Sequence, residues 1–332
     1  MDLSIVTTAY YSAPHLQEFY ERSCAAAEQL TQNFEIIIVN DGSPDNSLDV
    51  ARSIFQTDPR VRVIDLSRNF GHHKALMTGL AHSCGDLVFL LDSDLEEEPE
   101  LLTPLYQKLS ATDADVVFGV QERRKGKFFE RLSGFLFVKI FNALASPPLP
   151  ANFITARLMS RKYVSALLQH REREMLLAGL WELTGFTQVP LTVTKHSRGS
   201  STYSTRMKIG HAVNAVTSFS NKPLVYIFYL GCVILLLSTL AALYLIVRKI
   251  FFGHLLLGWA SLIVSIWMLG GLTIFCLGII GIYLAKIFIE VKQRPYAIVK
   301  NIYEHDQVPL LTESGLHELI DATASRMKRT SN

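Results

Sequence analysis

Three aspartates follow apolar, strand-like runs and have the spacing to bind a charged ligand. Asp41 follows the run FEIIIV and Asn40, and Gly42 after it permits a tight turn. Asp92 and Asp94 follow the run LVFLL. Two carboxylates at positions i and i+2 of a strand end can converge on one hard cation, which neutralises a departing diphosphate. The alternative is a pair of turn-forming aspartates that bind nothing.

A basic turn that contains glycine follows another strand-like run. It reads SRNFGHHK, from Ser67 to Lys74, and it opens a predicted helix. Helix N-termini and arginine bind phosphate oxygens, so Arg68 and its neighbours are candidate phosphate contacts. His72 and His73 are candidates too, with packing as their alternative role. The acidic run LEEEPE directly after Asp94 suits a helix N-terminus and is a candidate for a further metal or sugar contact.

These residues need a scaffold that brings strand ends together. Helix-like segments at 14–32, 46–56, 71–83 and 98–110 alternate with β-rich runs at 3–8, 34–40, 61–66, 86–92 and 114–119. The alternation predicts an α/β fold with a mostly parallel sheet, in which ligands bind beyond the carboxyl ends of the strands. The usual dinucleotide-binding and P-loop motifs are absent from the sequence, so those two classes are excluded.

The composition points to a membrane. The 332 residues are 49% hydrophobic and 19% charged, with a mean hydropathy of +0.23, which is too apolar for an ordinary cytosolic enzyme. The excess lies in two runs without charge, 224–247 and 255–285, each longer than the roughly 20 residues that cross a bilayer. A net charge of +2 gives no reason to expect a nucleic-acid partner. The four cysteines show no CxxC spacing and predict neither a zinc site nor a disulfide framework.

The charges around the apolar runs predict an orientation. Lysine and arginine are more numerous outside the two runs than in the loop between them, and no signal-peptide pattern opens the chain. We therefore expect a multi-pass protein of the plasma membrane, with both termini in the cytoplasm. The predicted parts are a cytoplasmic domain at 1–202, a juxtamembrane helix at 203–222, membrane helices at 223–248 and 255–286, and a cytoplasmic tail at 287–332.

The order of the motifs resembles a known family. VNDGS, SRNFG, DSDLEEEPE, RLMSRK and SRGSSTYS, followed by two apolar runs, are similar to the polyprenyl-phosphate glycosyltransferases of glycosyltransferase family 2, over residues 3 to about 300. The resemblance implies a GT-A nucleotide-sugar-binding fold and a cofactor that is Mg²⁺ or Mn²⁺. It implies inverting transfer of one sugar from a nucleotide-diphosphate sugar to polyprenyl (undecaprenyl) phosphate, which would supply a lipid-linked sugar for cell-envelope glycans. It also implies a homo-oligomer, with a tetramer as one form.

The resemblance assigns roles to individual residues. Asp92 and Asp94 are expected to hold the metal ion, and Asp94, Arg68 and Arg198 are the expected catalytic residues. Thr8, Ala9 and Tyr10 are expected to hold the base and ribose together with Asp41. The full set expected to bind substrate is Thr8, Ala9, Tyr10, Asp41, Gly42, Ser67, Asn69, Gly71, Lys74, Asp92, Ser93, Arg157, Ser200 and Tyr203.

The sequence departs from the family pattern in two places. The first loop reads YYSAP from Tyr10 instead of an acidic PxYNEE form, and TARL from Thr155 replaces a stretch that commonly carries an aspartate. A lipid monophosphate is already an anion near pH 7 and can attack without a general base, so the second change is compatible with a phosphate acceptor. The alternative is a different base, namely Glu172, Glu174 or Glu182.

Two further segments are expected to meet the lipid. The stretch 126–145 combines phenylalanines with lysine and arginine, which predicts an amphipathic membrane-surface helix, with a core-packed helix as the alternative. The hydroxyl-rich loop around Arg198 is expected to close over the phosphates.

Two other functions compete with sugar transfer to a lipid. One is a catalytically inactive, membrane-tethered binding or scaffold protein, which the altered Thr155 stretch favours and the three aspartates oppose. The other is a processive polysaccharide synthase, which needs more membrane spans and a QxxRW motif that this sequence lacks.

Overall fold

The chain folds around one sheet, from which two long helices extend. The computed structural model describes residues 1–121, 139, 141–144, 148, 150, 152–194, 217–252 and 258–305. The strands are β1 Leu3–Ala9, β2 Phe34–Asn40, β3 Val61–Leu66, β4 Leu87–Leu90, β5 Val116–Gln121, β6 Phe153–Ser160, β7 Gln188–Val193 and β8 Val299–Tyr303. The helices are α1 Ala13–Glu28, α2 Ser47–Thr57, α3 His72–Ala81, α4 Leu102–Ala111, α5 Arg161–Leu167, α6 Leu177–Leu183, α7 Lys222–Phe252 and α8 Trp259–Val291.

The eight strands form one mixed sheet in the order β7-β5-β6-β4-β1-β2-β3-β8. Strands β4, β1, β2 and β3 run parallel, whereas β6 is antiparallel to both β4 and β5. The predicted α/β fold with a mostly parallel central sheet is confirmed, as are the five predicted strands. Strands β6, β7 and β8 lie beyond the prediction.

Helices cover both faces of the sheet, which explains why the central strands read as continuous apolar runs. Every residue of β1, β2 and β3 is buried. Successive side chains of a strand point to opposite faces. Ile5 packs with the core on the side of α1, α2 and α4, and Val6 packs with the core on the side of α3, α5 and α6. Both layers are needed to hold the carboxyl ends of the strands in line.

Helices α7 and α8 are long and apolar enough to cross a membrane, over Lys222–Leu240 and Ser265–Val291. Helix α8 continues beyond the predicted end at residue 286. The Tyr283 hydroxyl donates a hydrogen bond to the Ser220 carbonyl oxygen at 2.6 Å, so the end of α8 lies against the segment that leads into α7. The two helices form a hairpin whose outer ends meet the sheet domain.

The segment after α8 returns to the sheet, where we had predicted only a tail. Strand β8 pairs antiparallel with β3. The buried Arg62 guanidinium of β3 joins β2 to the segment that follows β8, because it contacts Glu35 at 3.1 Å and Glu304 at 3.0 Å. At the other end of β8, Ser67 N donates to the Ile298 carbonyl oxygen at 2.9 Å. The C-terminal segment therefore borders the SRNFG turn.

Gly42 allows two loops at the carboxyl edge of the sheet to touch. Its φ is +58°, and a Cβ there would lie 2.4 Å from the backbone carbon of Arg68 and 2.5 Å from Asn69 N. Real Cβ atoms do not approach backbone so closely, so only glycine lets the β2–α2 loop cross the SRNFG turn.

We expect Gly42→Ala to lower stability by about 1–3 kcal/mol, because it adds a clash with backbone to the strain of a positive φ. Gly185→Ala is the matched control, since Gly185 has a φ of +72° and open space around its Cβ position. Thermal unfolding of the two variants in detergent should give the lower midpoint for Gly42→Ala. Equal midpoints would show that the close approach costs nothing.

We expect Glu304→Ala to destabilise the chain by about 1–3 kcal/mol, because the buried Arg62 loses one of its two carboxylate partners. Glu18→Ala, which removes an exposed contact with Arg22, should change stability by less than about 0.5 kcal/mol. Denaturant unfolding followed by tryptophan fluorescence measures both. If the two variants unfold alike, the C-terminal strand is not anchored through Arg62.

Candidate active site

The candidate site lies at the carboxyl edge of the four parallel strands. Ala9, Asp41, Ser67 and Asp92 stand at or just beyond the ends of β1, β2, β3 and β4. Because these strands are in parallel register, their ends meet at one edge. The structure therefore brings together most of the residues that the sequence analysis assigned to donor binding.

Asp41 connects β2 to the SRNFG turn. Its carboxylate is 2% exposed and accepts hydrogen bonds from Phe70 N at 2.7 Å and Gly71 N at 3.0 Å. Burial raises the pKa of Asp41, while these two amides and the positive charges of His72 and Arg68 act in the opposite direction. Asp41 thus fixes the start of α3, a role that its place in the sequence did not reveal.

His72 links the ends of β1 and β4. Its Nδ1 lies 3.1 Å from Thr8 Oγ1, and its Nε2 lies 3.3 Å from Asp92 Oδ1. Burial alone would lower the pKa of His72, but the bond to Asp92 and the charges of the nearby aspartates outweigh it and raise that pKa. The contact with Asp92 thus shifts His72 towards its protonated, positively charged form.

Hydrogen bonds and a buried side chain fix the DSD turn, which runs from Asp92 to Asp94. Ser93 is buried, and its hydroxyl donates to the Thr8 carbonyl oxygen at 2.7 Å, which ties the turn to the first loop. Asp94 Oδ1 accepts from Glu96 N at 2.9 Å. Leu95 has a φ of +59°, which is costly for a branched residue, and its buried side chain packs in the core beside α1 and α4. The core thereby holds a conformation that presents Asp94 to solvent.

The two carboxylates suit a cation shared with a substrate. Mg²⁺ and Mn²⁺ sites at phosphates commonly use one or two carboxylates, with phosphate oxygens and water completing the coordination. Among the described residues no group of three or more His, Cys, Asp or Glu side chains could hold a metal alone. Asp92 and Asp94 therefore fit a metal that arrives with a diphosphate, rather than a site made of protein alone.

Glu97 is a site residue whose contacts the sequence did not predict. It is 1% exposed, and its carboxylate accepts from Thr155 N at 3.3 Å and Ala156 N at 2.7 Å. Leu90 pairs with Arg157, so Thr155 runs beside the segment that follows β4. Glu97 thus attaches the Thr155 stretch to the DSD turn, where we had expected a helix-start or ligand contact from the acidic run.

Arg157, a predicted substrate contact, lies inside the domain. It is 2% exposed, its guanidinium stacks over the Trp181 ring at 2.9 Å from the centroid, and its Nε donates to the Thr155 carbonyl oxygen at 3.3 Å. Burial lowers its pKa to about 9. The buried Arg157 side chain thus connects β6 with Trp181 of α6.

Tyr10 and Tyr11 form an exposed aromatic edge beside Asp41. They are 46% and 62% exposed, and their rings meet edge to face at a centroid distance of 4.9 Å. Tyr11 N donates to Ser43 Oγ at 2.8 Å, and Asp45 accepts from that serine hydroxyl at 2.6 Å. These hydrogen bonds fix the backbone of the loop. The rings of Tyr10 and Tyr11 are exposed and can face a planar ligand.

The remaining predicted residues fall into two groups. Arg68 is exposed, stacks on Phe70 at 4.1 Å and donates to the Asn69 carbonyl oxygen at 3.0 Å, while Lys74 lies in the first turn of α3. Gly71, with a φ of +102°, precedes that helix. Arg198, Ser200, Tyr203, residues 203–216 of the predicted juxtamembrane helix at 203–222 and most of the stretch 126–145 lie outside the described residues.

The alternative bases lie on two different elements. Glu182 is on α6, and burial raises its pKa against the opposing charge of Arg157. Burial also raises the pKa of Glu172, which stands in the loop before α6 with Glu174. Glu174 N and Arg173 N both donate to Glu290 of α8, so this loop faces the end of α8.

The sequence matches proteins of one family. Residues 4–168 match the family described as glycosyl transferase family 2. A glycosyltransferase from Mycobacterium tuberculosis is 58% identical over 306 residues, covering 92% of this chain and 90% of that protein. The bactoprenol glucosyl transferase of Shigella phage SfV is 31% identical over 304 residues, covering 91% of this chain and 99% of that protein.

Solved structures include a weaker match. Glucosyl-3-phosphoglycerate synthase from Mycobacterium tuberculosis, in complex with Mn²⁺, uridine diphosphate and phosphoglyceric acid, matches 65% of this chain and 76% of that chain, with 20% identity and a TM-score of 0.45.

The family match covers the segment that contains β1 to β4, the DSD turn and the SRNFG turn, and the two relatives are similar along nearly their whole length. The described sheet has the GT-A-like α/β architecture that the motifs implied. The chain belongs to glycosyl transferase family 2.

Proposed function

We propose that this protein transfers one sugar from a nucleotide-diphosphate sugar to polyprenyl phosphate, with inversion, at the cytoplasmic face of the plasma membrane. The observation that carries the proposal is the edge where Asp41, His72 and Asp92 join three strand ends beneath the exposed Asp94. Similarity to a bactoprenol glucosyl transferase along 91% of this chain supports the lipid acceptor.

The donor side of the site suits a nucleotide diphosphate. The exposed rings of Tyr10 and Tyr11 offer faces for a base, and the SRNFG turn with Arg68 and His72 offers positive charge to the diphosphate. Mg²⁺ or Mn²⁺ held by Asp92 and Asp94 would neutralise the charge that develops on the leaving diphosphate. Which nucleotide and which sugar bind is a question for a donor panel.

The chemical step needs little from a general base. An oxygen of the lipid phosphate forms the new bond to the anomeric carbon, while the bond from that carbon to the diphosphate breaks and the electron pair leaves with the diphosphate. Because the lipid phosphate is already ionised near pH 7, no proton must be removed. The absence of an aspartate at Thr155 is consistent with this route.

The hairpin of α7 and α8 supports a membrane location. If both helices cross the bilayer, the sheet domain and β8 must lie on the same side, because β8 pairs with β3. The positive-inside bias favours the cytoplasm for that side. A homo-oligomer stays a prediction.

We expect Asp94→Asn to reduce sugar transfer by roughly a hundredfold or more, because it removes charge from the metal and diphosphate site. The amide can still accept the hydrogen bond from Glu96 N, so the fold should be kept. Mass spectrometry of the glycolipid made from a short-chain polyprenyl phosphate and a panel of donors measures the rate. Asp113→Asn, in the turn before β5, is the control for loss of one surface carboxylate.

Undiminished turnover by Asp94→Asn with metal present would overturn the assignment of the metal site. Absence of metal-dependent nucleotide binding by the unaltered protein would instead favour the inactive scaffold.

We expect Glu97→Gln to lower both stability and turnover, because an amide cannot accept from both Thr155 N and Ala156 N without turning its own donor towards one of them. The stability cost should be about 1–3 kcal/mol. Glu98→Gln, at a neighbouring and more exposed position, should behave like the unaltered protein. Thermal unfolding and the glycolipid assay test the pair, and identical results for the two variants would contradict the role of Glu97.

A further inference from the structure

A cavity of about 470 Å³ lies where the hairpin meets the sheet domain. Its lining comes from Leu144, from the segment 217–222 that leads into α7, and from Tyr283 of α8. Most of these residues are polar: the lining includes three hydroxyl-bearing residues of that segment, Asn221, the Tyr283 phenol and Lys222. The cavity is separate from the edge that carries Asp92 and Asp94.

The lining is fixed to both parts of the protein. The Phe219 ring packs so closely on α6 that a Cβ at Gly179 would lie 2.4 Å from it. On the other side, the Tyr283 hydroxyl donates to the Ser220 carbonyl oxygen at 2.6 Å. The Ser220 hydroxyl in turn donates to the Leu144 carbonyl oxygen at 2.5 Å. The cavity is thus framed by the catalytic domain and the hairpin together.

Two lysines give the cavity a positive character. Lys222 Nζ donates to the Ala143 carbonyl oxygen at 2.7 Å, and an ammonium group has three donors, so this bond does not exhaust it. Lys286 Nζ donates to Ser218 Oγ at 2.7 Å, which places a second ammonium group next to a residue of the lining. The carboxylates of Glu174 and Glu290 attract the Lys286 ammonium group. Glu290 also accepts hydrogen bonds from the amides of the loop before α6.

Both lysines lie near the ends of the apolar windows, where lipid headgroups would be. Lys222 is the first residue of one apolar window, and Lys286 lies close to the end of the other at Val291. Five residues of helix correspond to roughly 8 Å. Lysine side chains at such positions place their ammonium groups at the membrane surface. Basic pockets between membrane helices on the cytoplasmic side suit lipid headgroups.

A loop connects this region with the active site. Arg173 N donates to Glu290 Oε1 of α8 at 2.7 Å, and the Met175 carbonyl oxygen lies 3.2 Å from His73 Nδ1. His73 is adjacent to His72, which contacts Asp92. The end of α8 is therefore joined to the catalytic turn through a loop of a few residues.

We propose that the cavity lined by Ser218, Ser220, Lys222 and Tyr283, with Lys286 bonded to Ser218 behind the lining, binds the phosphate of a membrane lipid. The hydroxyls and ammonium groups are the donors that phosphate oxygens require, and the adjoining apolar helices suit the lipid chain. That this lipid is the acceptor, held here before its phosphate reaches the edge that carries Asp92 and Asp94, rests on the proposed function. Binding of a lipid phosphate as such does not.

The test uses the full chain purified in a neutral detergent and equilibrium binding by native mass spectrometry and calorimetry. The probes are a short-chain polyprenyl phosphate, the matching polyprenol without phosphate, phosphatidylglycerol and inorganic phosphate. We expect Lys222→Gln and Lys286→Gln each to weaken binding of the polyprenyl phosphate roughly tenfold or more, since each removes a charged donor. Binding of the polyprenol should not change.

Three controls keep the result interpretable. Lys286→Arg retains the charge and should restore most of the affinity, and Lys292→Gln removes a charge that instead lies over the Phe288 ring at 3.8 Å. Nucleotide binding with Mn²⁺ should be the same in all variants, which shows that the catalytic domain is folded. A variant that loses nucleotide binding is replaced by Ser218→Ala, which removes a hydroxyl from the same cavity.

The probes distinguish the source of the phosphate. Lysine-dependent binding of the polyprenyl phosphate alone supports an acceptor site, and equal lysine-dependent binding of phosphatidylglycerol supports a site for bulk anionic lipid. Lysine-dependent binding of inorganic phosphate supports the phosphate chemistry without the lipid chain. If the lysine variants and the unaltered protein bind every probe with equal affinity, the proposed site is overturned. If the unaltered protein binds the lipid phosphate but transfers no sugar, the proposed function is wrong and the binding site is not affected.

Discussion

The candidate site depends on one buried carboxylate that holds two backbone amides. Asp41 accepts from Phe70 N and Gly71 N, which sets where α3 begins. Because His72 is the first residue of α3, the same contact places its imidazole between Thr8 and Asp92. The ends of β1, β2 and β4 are thereby connected through one side chain at the end of β2. A carboxylate so deeply buried is tolerable only because its oxygens are hydrogen-bonded.

Among the described residues, a similar arrangement occurs at Glu97 and at Glu290. Glu97 accepts from two adjacent amides of β6, and Glu290 accepts from two adjacent amides of the loop before α6. In each case a carboxylate from one element fixes the backbone of a distant segment. Charge-assisted bonds to backbone are stronger than neutral ones. These three carboxylates fix the SRNFG turn, strand β6 and the end of α8, so the candidate site and the hairpin form one connected structure.

The sequence was sufficient for the elements that depend on local pattern. The runs that became β1 to β5 are mostly apolar, as expected for a sheet that is covered on both faces, and the aspartates after β2 and β4 mark strand ends. Strand β8 could not be predicted, since VKNIY is short, only partly buried and separated from its partner β3 by the whole hairpin. Its pairing depends on Arg62 meeting Glu304, a contact across 242 positions.

Side-chain roles were harder to predict than positions. Asp41 and Glu97 were found as acidic residues at the right places, but their partners are backbone amides of segments far along the chain. The resemblance implied that Arg157 contacts substrate, whereas in the structure Trp181 from α6 covers its guanidinium. A motif identifies which residue types meet at a sheet edge, whereas burial decides which of them face a ligand. This distinction separates Asp94, exposed on a turn that Leu95 anchors, from Ser93, which the same turn buries.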